Sequence, residues 1–134
     1  GVDTRFKGTL GHASAAELYA VAGAIEAKPQ YYHLLALHHH IRLSNSWMDK
    51  HYLTNADEVA QWIARQSGLC AVIHGHIHAQ DHYPLSDCTV MSVPSTCWQW
   101  AMQPDFGVDD TQPGYRELLL SDDGNWTTTI RRLP

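Results

Sequence analysis

Apolar positions in the first part of the chain recur at the spacing of an amphipathic helix. The helix would start after Ser14, whose spacing from Glu17 is that of a capping box, and end before Pro29. The residues of its apolar face are Leu18, Val21, Ala22 and Ile25. The pattern therefore predicts a helix over residues 15 to about 27, with one face packed on a sheet.

A second helix and five strands follow from the same kind of pattern. Asn55 and Glu58 repeat the capping-box spacing, and apolar positions at helical intervals continue to about Gln66, where Gly68 is placed to end the helix. Apolar runs predict strands over residues 31–37, 69–73, 89–93, 115–120 and 126–133. The last two flank the turn residues 122–125, which predicts a hairpin. Alternating helices and strands predict an α/β (α+β) fold with at least partly parallel strands.

The connection over residues 38–54 has no regular period. It carries Trp47, Met48, His51 and Tyr52, a mixture of large apolar and polar groups. Long loops inside compact domains are often functional, but the same aromatic side chains would also suit a surface loop that covers an edge of the core. The composition leaves both interpretations open.

The overall composition is that of an ordinary globular protein. Of 134 residues, 44% are hydrophobic and 17% are charged, and we expect one domain over residues 1–134. The net charge of -5 argues against a nucleic-acid surface, and no apolar stretch has the length of a membrane span or the form of a signal peptide. Three cysteines without paired metal-ligand spacing favour a reducing, cytoplasmic setting over a disulfide framework.

Ten histidines are many for this length, and several follow predicted strands. Residues 69–73 run into a turn with His74, His76 and His78, in which Gly75 allows a tight bend. In an extended or tightly turning segment, His76 and His78 would face the same side. Residues 31–37 also end in imidazoles, at 38–40, and loops after strand ends are where α/β folds build their sites. Because neutral imidazole is a common metal ligand, a metal site is the first hypothesis.

The alternative is that these histidines are structural. A single histidine near a strand end is more often a hydrogen-bonded residue than a ligand. Two separate segments that both end in imidazoles favour the metal site over this alternative. Cys97, in a polar turn beside Thr96 and Trp98, could reach the same site, but no neighbouring residue in the sequence would obviously lower its pKa.

Four motifs lie in order along the chain. They are LHHHIRL at residues 37–43, GHIH at 75–78, PSTCWQW at 94–100 and PGYRELLL at 113–120. Together they resemble the calcineurin-like metallophosphoesterases, and most of all the bacterial class III cyclic-AMP phosphodiesterases. SWMDKHYLTNADE at 46–58 is similar to the stretch that links the two histidine motifs in that subgroup. The resemblance covers nearly the whole chain and is therefore more specific than GHxH alone.

The resemblance implies the four-layer αββα fold, in which two sheets flanked by helices hold two divalent metal ions at the strand ends. The ions would be iron or manganese, with zinc as a further candidate. The implied reaction is phosphodiester hydrolysis, above all of 3′,5′-cyclic AMP, a small-molecule substrate. His38, His76 and His78 would be metal ligands, the last two to different ions. Residues expected to support the ligands, face the substrate or face solvent are His39, His40, His51, Ser95 and Cys97.

The remaining ligands of the family belong to motifs of the form D-x-H, G-D and G-N-H-[DE] in an amino-terminal half, which we expect to be missing here. The chain would then be the carboxy-terminal half of such an enzyme, with part of the metal site and negligible turnover alone. It would pair with the missing half or self-associate. Two alternatives stay open, a histidine-rich metal-binding or interaction module without catalysis, and another phosphodiesterase such as a glycerophosphodiesterase.

Overall fold

The computed structural model describes residues 1–134 and centres on a four-stranded sheet. The elements in chain order are α1 (Ala15–Glu26), β1 (His33–Leu37), a 3-10 helix (Trp47–His51), α2 (Ala56–Ala64), β2 (Leu69–His74), β3 (His82–Leu85), β4 (Cys88–Ser92), β5 (Gln99–Trp100), β6 (Val108–Asp109), β7 (Gly114–Leu120) and β8 (Trp126–Arg132). The central sheet has the strand order β1, β2, β4, β3, and two further pairs are formed by β5 with β6 and β7 with β8. The mixed α/β class expected from the sequence is confirmed.

Three strands of the central sheet run parallel, so their carboxyl ends meet at one edge of the sheet. Leu37 of β1 pairs with His74 of β2, and His74 pairs with Ser92 of β4. The segments that follow these strands therefore leave the sheet side by side. β3 runs antiparallel to β4 and was not predicted, because it is short and contains Pro84, which cannot donate to a strand ladder.

Both helices contribute to one apolar core with the central sheet. In α2, Val59 and Ile63 are buried, and Val72 of β2 and Val90 of β4 are inaccessible to solvent. Leu18 of α1 belongs to the same core. Burial of one such side chain stabilises the fold by about 1.5–3 kcal/mol. The predicted helical bounds agree with the structure within two residues at each end.

The starts of the two helices differ from the predicted capping boxes. Ser14 Oγ accepts a hydrogen bond from the Glu17 backbone N–H at 3.2 Å, and the Ser14 hydroxyl, rather than its N–H, donates to the Glu17 carboxylate. The capping box predicted at Asn55 is wrong, because the Asn55 side chain makes no cap hydrogen bond. Its amide instead accepts from the Ala13 N–H at 3.1 Å and donates to the Ala13 carbonyl at 2.9 Å. Asn55 thus ties the start of α2 to the segment before α1.

The connection over residues 38–54 is folded back against the core. It contains the 3-10 helix, which begins with a capping box formed by Ser46 and Asp49. Met48 within the helix is 3% exposed and Leu53 after it is fully buried. The backbone N–H of Thr54 donates to the carbonyl of Gly11, so that the amino-terminal segment lies alongside. The connection therefore covers part of the core, which agrees with the interpretation of residues 38–54 as a loop that covers an edge of the core.

The predicted carboxy-terminal hairpin is confirmed. β7 and β8 pair in register from Gly114 opposite Arg132 to Leu120 opposite Trp126, and Gly124 in the turn has a positive φ of 84°. Arg116 fixes the hairpin to the central sheet, because its Nε–H donates to the carbonyl of Ser92 at 3.0 Å. Neither α-helix is long and apolar enough to cross a membrane.

Candidate metal centre

The structure places His38 and His76 side by side at the carboxyl edge of the central sheet. His38 directly follows β1 and His76 lies two residues after β2, and these two strands are neighbours. The Nε2 atom of His38 is 3.0 Å from the Nδ1 atom of His76, and the two ring centroids are 4.8 Å apart. The two imidazoles are 38 residues apart in sequence, and they meet because β1 and β2 are parallel neighbours that end at the same edge of the sheet.

The backbone after β2 is turned, and it is not extended at its histidines. His76 and His78 have positive φ angles of 68° and 47°, in the left-handed region that favours glycine. The N–H of Ile77 donates to the carbonyl of Gly75 at 2.8 Å, and the Ile77 side chain is buried between the two histidines. A Cβ added at Gly75 would lie 3.7 Å from the His38 ring. The turn thereby brings backbone close to His38, and it leaves the side chains of His76 and His78 half-buried.

Backbone carbonyls select the tautomers of His76 and His78. The Nε2–H of His76 donates to the carbonyl of His51 at 2.8 Å, which leaves Nδ1 as the basic nitrogen beside His38. The Nδ1–H of His78 donates to the carbonyl of Trp98 at 3.1 Å, which leaves Nε2 basic. Metal-binding histidines in proteins usually donate their second ring N–H in this way, since the hydrogen bond fixes the ring and raises its basicity. Both histidines therefore have the environment of ligands.

The site favours neutral imidazoles. Burial, together with the neighbouring imidazoles of His39 and His38, lowers the pKa of His76 to about 3. Burial also lowers the pKa of His38 and of His78 from their ordinary values. A neutral ring offers a lone pair to a cation at neutral pH without first losing a proton.

His39 and His40 are buried, so the expectation that they could face solvent is wrong. His39 has partners for both ring nitrogens, Thr4 Oγ1 at 2.7 Å and the carbonyl of Thr9 at 3.3 Å. His40 is 1% exposed, and its Nε2 lies 3.3 Å from the carboxylate of Asp49. Their ring centroids are 4.5 Å and 5.8 Å from that of His76, respectively. Both rings pack against His76 and restrict its movement.

The other three candidates occupy different positions. His51 supports His76 through its backbone carbonyl, while its own Nδ1 lies 2.5 Å from Thr9 Oγ1. Ser95 shapes the loop after β4, because its Oγ accepts from the backbone N–H of Cys97 at 3.1 Å. The Cys97 thiol is free and exposed. Sequence reasoning missed the two carbonyls that orient His76 and His78, and no signal could have identified them, since every residue type carries a carbonyl.

Asp49, Lys50 and His51 do have the D-x-H spacing that we expected to be absent. Their setting is different from that of a metal motif, because they lie in the 3-10 helix. The Asp49 carboxylate accepts from the N–H and the hydroxyl of Ser44 and contacts His40. The carboxylate is therefore committed to holding the connection in place.

The distance between His38 and His76 fits two ligands of one cation. With metal–nitrogen bonds of about 2.0–2.1 Å and ordinary coordination angles, two ligand nitrogens lie about 3.0–3.4 Å apart. No group of three or more histidine, cysteine, aspartate or glutamate side chains in the structure has an arrangement that could hold a metal ion by itself. His38 and His76 thus fit two positions of a ligand set, whereas His78 lies against Trp98 and Trp100, and further ligands to a shared cation would have to come from other residues.

No family model matches the chain. Among curated proteins, it is 35% identical over 127 residues to the 3′,5′-cyclic adenosine monophosphate phosphodiesterase CpdA of Haemophilus influenzae. The matched region covers 92% of this chain and 46% of that relative. It is 33% identical over 126 residues to the 3′,5′-cyclic-nucleotide phosphodiesterase alr5338 of Nostoc, with 92% and 47% covered. Its relatives bear the names of cyclic-nucleotide phosphodiesterases. A third, the CpdA of Pseudomonas aeruginosa, is 31% identical over 98% of the chain.

The chain spans about half the length of these phosphodiesterase relatives. The similarity extends over the first histidine segment, the turn after β2 and the hairpin, since 98% of the chain is matched to the Pseudomonas relative. All the residues of the candidate metal centre therefore belong to a chain that is homologous to cyclic-nucleotide phosphodiesterases over most of its length.

Proposed function

We propose that this chain is part of a metal-dependent phosphodiesterase that hydrolyses 3′,5′-cyclic AMP, and that it supplies three nitrogen ligands to a two-metal site. The observation that supports the proposal is the 3.0 Å approach of His38 Nε2 to His76 Nδ1, with the second nitrogen of His76 held by a backbone carbonyl. The names of the relatives suggest the substrate. As a domain, residues 1–134 would form the carboxy-terminal half of the four-layer metallophosphoesterase fold.

In this proposal the three histidines are divided between two cations. His38 and His76 would share one cation and His78 would bind the second. Two bound cations would supply a clamp for the phosphate oxygens and a water of lowered pKa. The residues of this chain contribute by orientation, since the carbonyls of His51 and Trp98 fix two of the rings before any ligand arrives.

The metal and the compartment are further parts of the proposal. Imidazole binds iron, manganese and zinc, so these are the cations to test, with iron or manganese preferred by the resemblance. Three neutral imidazoles bring no negative charge, and two cations held by them alone would repel each other. We therefore expect negligible turnover from this chain alone. Three free cysteines favour a reducing compartment such as the cytoplasm, where the enzyme would meet cyclic AMP.

The experiment is hydrolysis of cyclic AMP by the full-length protein with added Mn²⁺ or Fe²⁺. We expect His38→Ala to lower kcat/KM by at least about 100-fold, because loss of outer hydrogen-bond partners alone costs 10–100-fold in metal sites. His33→Ala is the matched control, since His33 lies at the opposite end of β1 and contacts the carbonyl of Lys28. Full activity of His38→Ala would contradict the ligand assignment. Metal-dependent turnover by residues 1–134 alone would contradict the partial site.

A second candidate is a metal-binding module without catalysis. It is favoured by the three neutral imidazoles with no carboxylate hydrogen-bonded to them. Calorimetric titration of residues 1–134 with Mn²⁺ and Zn²⁺ tests it, because tight binding of one ion, lost in His38→Ala, would support a module. The third alternative is a glycerophosphodiesterase. Comparing kcat/KM of the full-length protein for cyclic AMP and for glycerophosphodiesters distinguishes it from a cyclic-nucleotide phosphodiesterase.

A further inference from the structure

A cluster of four aromatic side chains lies beside the candidate metal centre, and we call it the aromatic ledge. It consists of Trp47, Trp98, Trp100 and Phe106. Adjacent rings have centroids 4.9–5.9 Å apart. Trp47 comes from the connection after β1, and the other three follow β4, so the ledge spans two of the segments that leave the carboxyl edge of the sheet.

Packing explains Trp47 and Trp100. The backbone N–H of Trp47 donates to the carbonyl of Gln103 at 2.9 Å, and the Trp47 ring contacts both Trp100 and Phe106. Both tryptophans are half-buried, as expected for side chains that join two loops. Their contacts account for the stability of the ledge without any ligand.

Packing does not explain Trp98. Its side chain is 48% exposed, and its two aromatic neighbours, Trp100 and His78, are inclined to it by 68° and 58°. No ring in the structure lies parallel to Trp98, so its indole faces have no stacking partner. A large exposed indole without such a partner is unusual on a surface, and tryptophan is enriched where ligands or partners bind.

The ledge is continuous with the candidate metal ligands. The ring of His78 lies parallel to that of Trp100, with centroids 5.1 Å apart and an angle of 10°. The same histidine donates its Nδ1–H to the carbonyl of Trp98. A phosphate held near His78 would therefore lie close to the indole of Trp98, whose ring centroid is 6.0 Å from that of His78.

We propose that Trp98 stacks on the nucleobase of the substrate and so distinguishes cyclic nucleotides from other phosphodiesters. This inference rests on the proposed function. In a cyclic nucleotide only the ribose separates the base from the cyclic phosphate, which matches a stacking surface that adjoins a phosphate site. Base stacking on an aromatic side chain needs no particular base, so Trp98 would select for a base without choosing among bases. A glycerophosphodiester has no ring to place there.

The test compares two substrates of the full-length, metal-loaded protein, cyclic AMP and the base-free ribose 3′,5′-cyclic phosphate. The measured quantity is the ratio of their kcat/KM values. We expect Trp98→Ala to lower this ratio by about 5- to 150-fold, the range of one base stack, and Trp98→Phe to restore most of it. Tyr19→Ala, at an aromatic side chain that is 83% exposed on α1, is the matched control and should leave the ratio as it is.

The outcomes separate stacking from a structural role. If Trp98 only packs against the rest of the protein, Trp98→Ala will reduce hydrolysis of both substrates equally, and an unchanged ratio overturns the proposal. If the protein hydrolyses neither substrate, the proposed function fails by itself. Equilibrium dialysis of AMP against ribose 5-phosphate then decides the stacking: tighter binding of AMP that is lost in Trp98→Ala supports it, and equal binding overturns it.

Discussion

Among individual side chains, His76 lies at the centre of the candidate site. The rings of His38, His39 and His40 surround its imidazole, and the carbonyl of His51 fixes its Nε2–H. Such packing leaves the ring one orientation. A preorganised ligand loses little entropy when a cation binds, so in the proposed site His39 and His40 would contribute to affinity without touching the metal.

Gly11 provides a test of this packing. A Cβ at Gly11 would overlap the His39 ring, whereas a Cβ at Gly23, in the middle of α1, meets nothing within 4 Å. We expect Gly11→Ala to lower the free energy of unfolding by about 1–3 kcal/mol, because the buried ring must shift. Gly23→Ala should raise it by about 0.5–1 kcal/mol, because alanine favours the helix. Urea denaturation measures both, and equal stability of the two variants would contradict the packing.

Sequence patterns could identify the two histidine segments that meet, but not how each histidine within them is used. The consecutive residues 38–40 follow a strand, and the pattern alone gives no reason why only the first places a ring nitrogen beside Nδ1 of His76 while the next two are buried against its ring. Their roles are set by Thr4, Thr9 and Asp49, which approach them only when distant segments fold together. The left-handed backbone of His76 and His78 was likewise not predicted, since the segment was expected to have side chains that alternate in direction.

Within the connection over residues 38–54, the 3-10 helix is the element that contacts the candidate site. Its capping box holds the first turn, and its last residue, His51, presents the carbonyl that accepts from His76. Burial opposes ionisation of Asp49, but hydrogen bonds from the Ser44 backbone, the Ser44 hydroxyl and His40 together lower its pKa. The ionised carboxylate thus stabilises this helix, and through it the orientation of His76.

We expect Asp49→Asn to lower the free energy of unfolding by about 0.5–2 kcal/mol at pH 7, the usual effect of a lost helix-start hydrogen bond. Because the pKa of Asp49 is lower in the folded than in the unfolded chain, its contribution is complete above the unfolded value of 3.8. The contribution is lost as the pH falls through the folded pKa.

The difference between Asp49→Asn and the native chain should therefore shrink as the pH is lowered from 7 toward 2. Urea denaturation at several pH values, followed by tryptophan fluorescence, measures this. Asp110→Asn is the control, since Asp110 is exposed. A difference that stays constant down to pH 2 would show that the charge of Asp49 is not involved.

The longer helices and strands were predictable because many residues in each contribute to the regular spacing of its apolar positions. Both α-helices, three strands of the central sheet and the hairpin follow from apolar spacing and turn residues. The two-residue strands β5 and β6 have too few positions to show a period, and Trp100 of β5 belongs to the aromatic ledge, which forms only in the folded chain. The 3-10 helix was missed because its signal, Ser46 with Asp49, lies in a segment without regular apolar spacing.

For the molecule as a whole, the distribution of exposed apolar side chains is the main unexplained property. Leu119 and Leu120 near the hairpin turn are 69% and 61% exposed, and Phe6 is 63% exposed. Exposed apolar surfaces of this kind favour association. The sequence could not show these faces, since strand order and the position of the hairpin arise only in the folded chain.

We expect residues 1–134 to self-associate, or to bind the remaining half of the proposed enzyme when that half is supplied. Sedimentation velocity over a wide range of protein concentrations measures the first, and Leu119→Asp with Leu120→Asp should shift the equilibrium toward monomer. A purely monomeric native chain at all concentrations, with no binding of the remaining half, would contradict the expectation.

The left-handed backbone at His76 and His78 affects how any replacement of these residues should be designed. Histidine tolerates this region better than most residues, and asparagine better still, whereas alanine and β-branched residues resist it. An alanine variant would therefore distort the turn as well as delete the imidazole. Asparagine removes the ring while it keeps the chain path, so it is the replacement that isolates coordination chemistry from conformational strain.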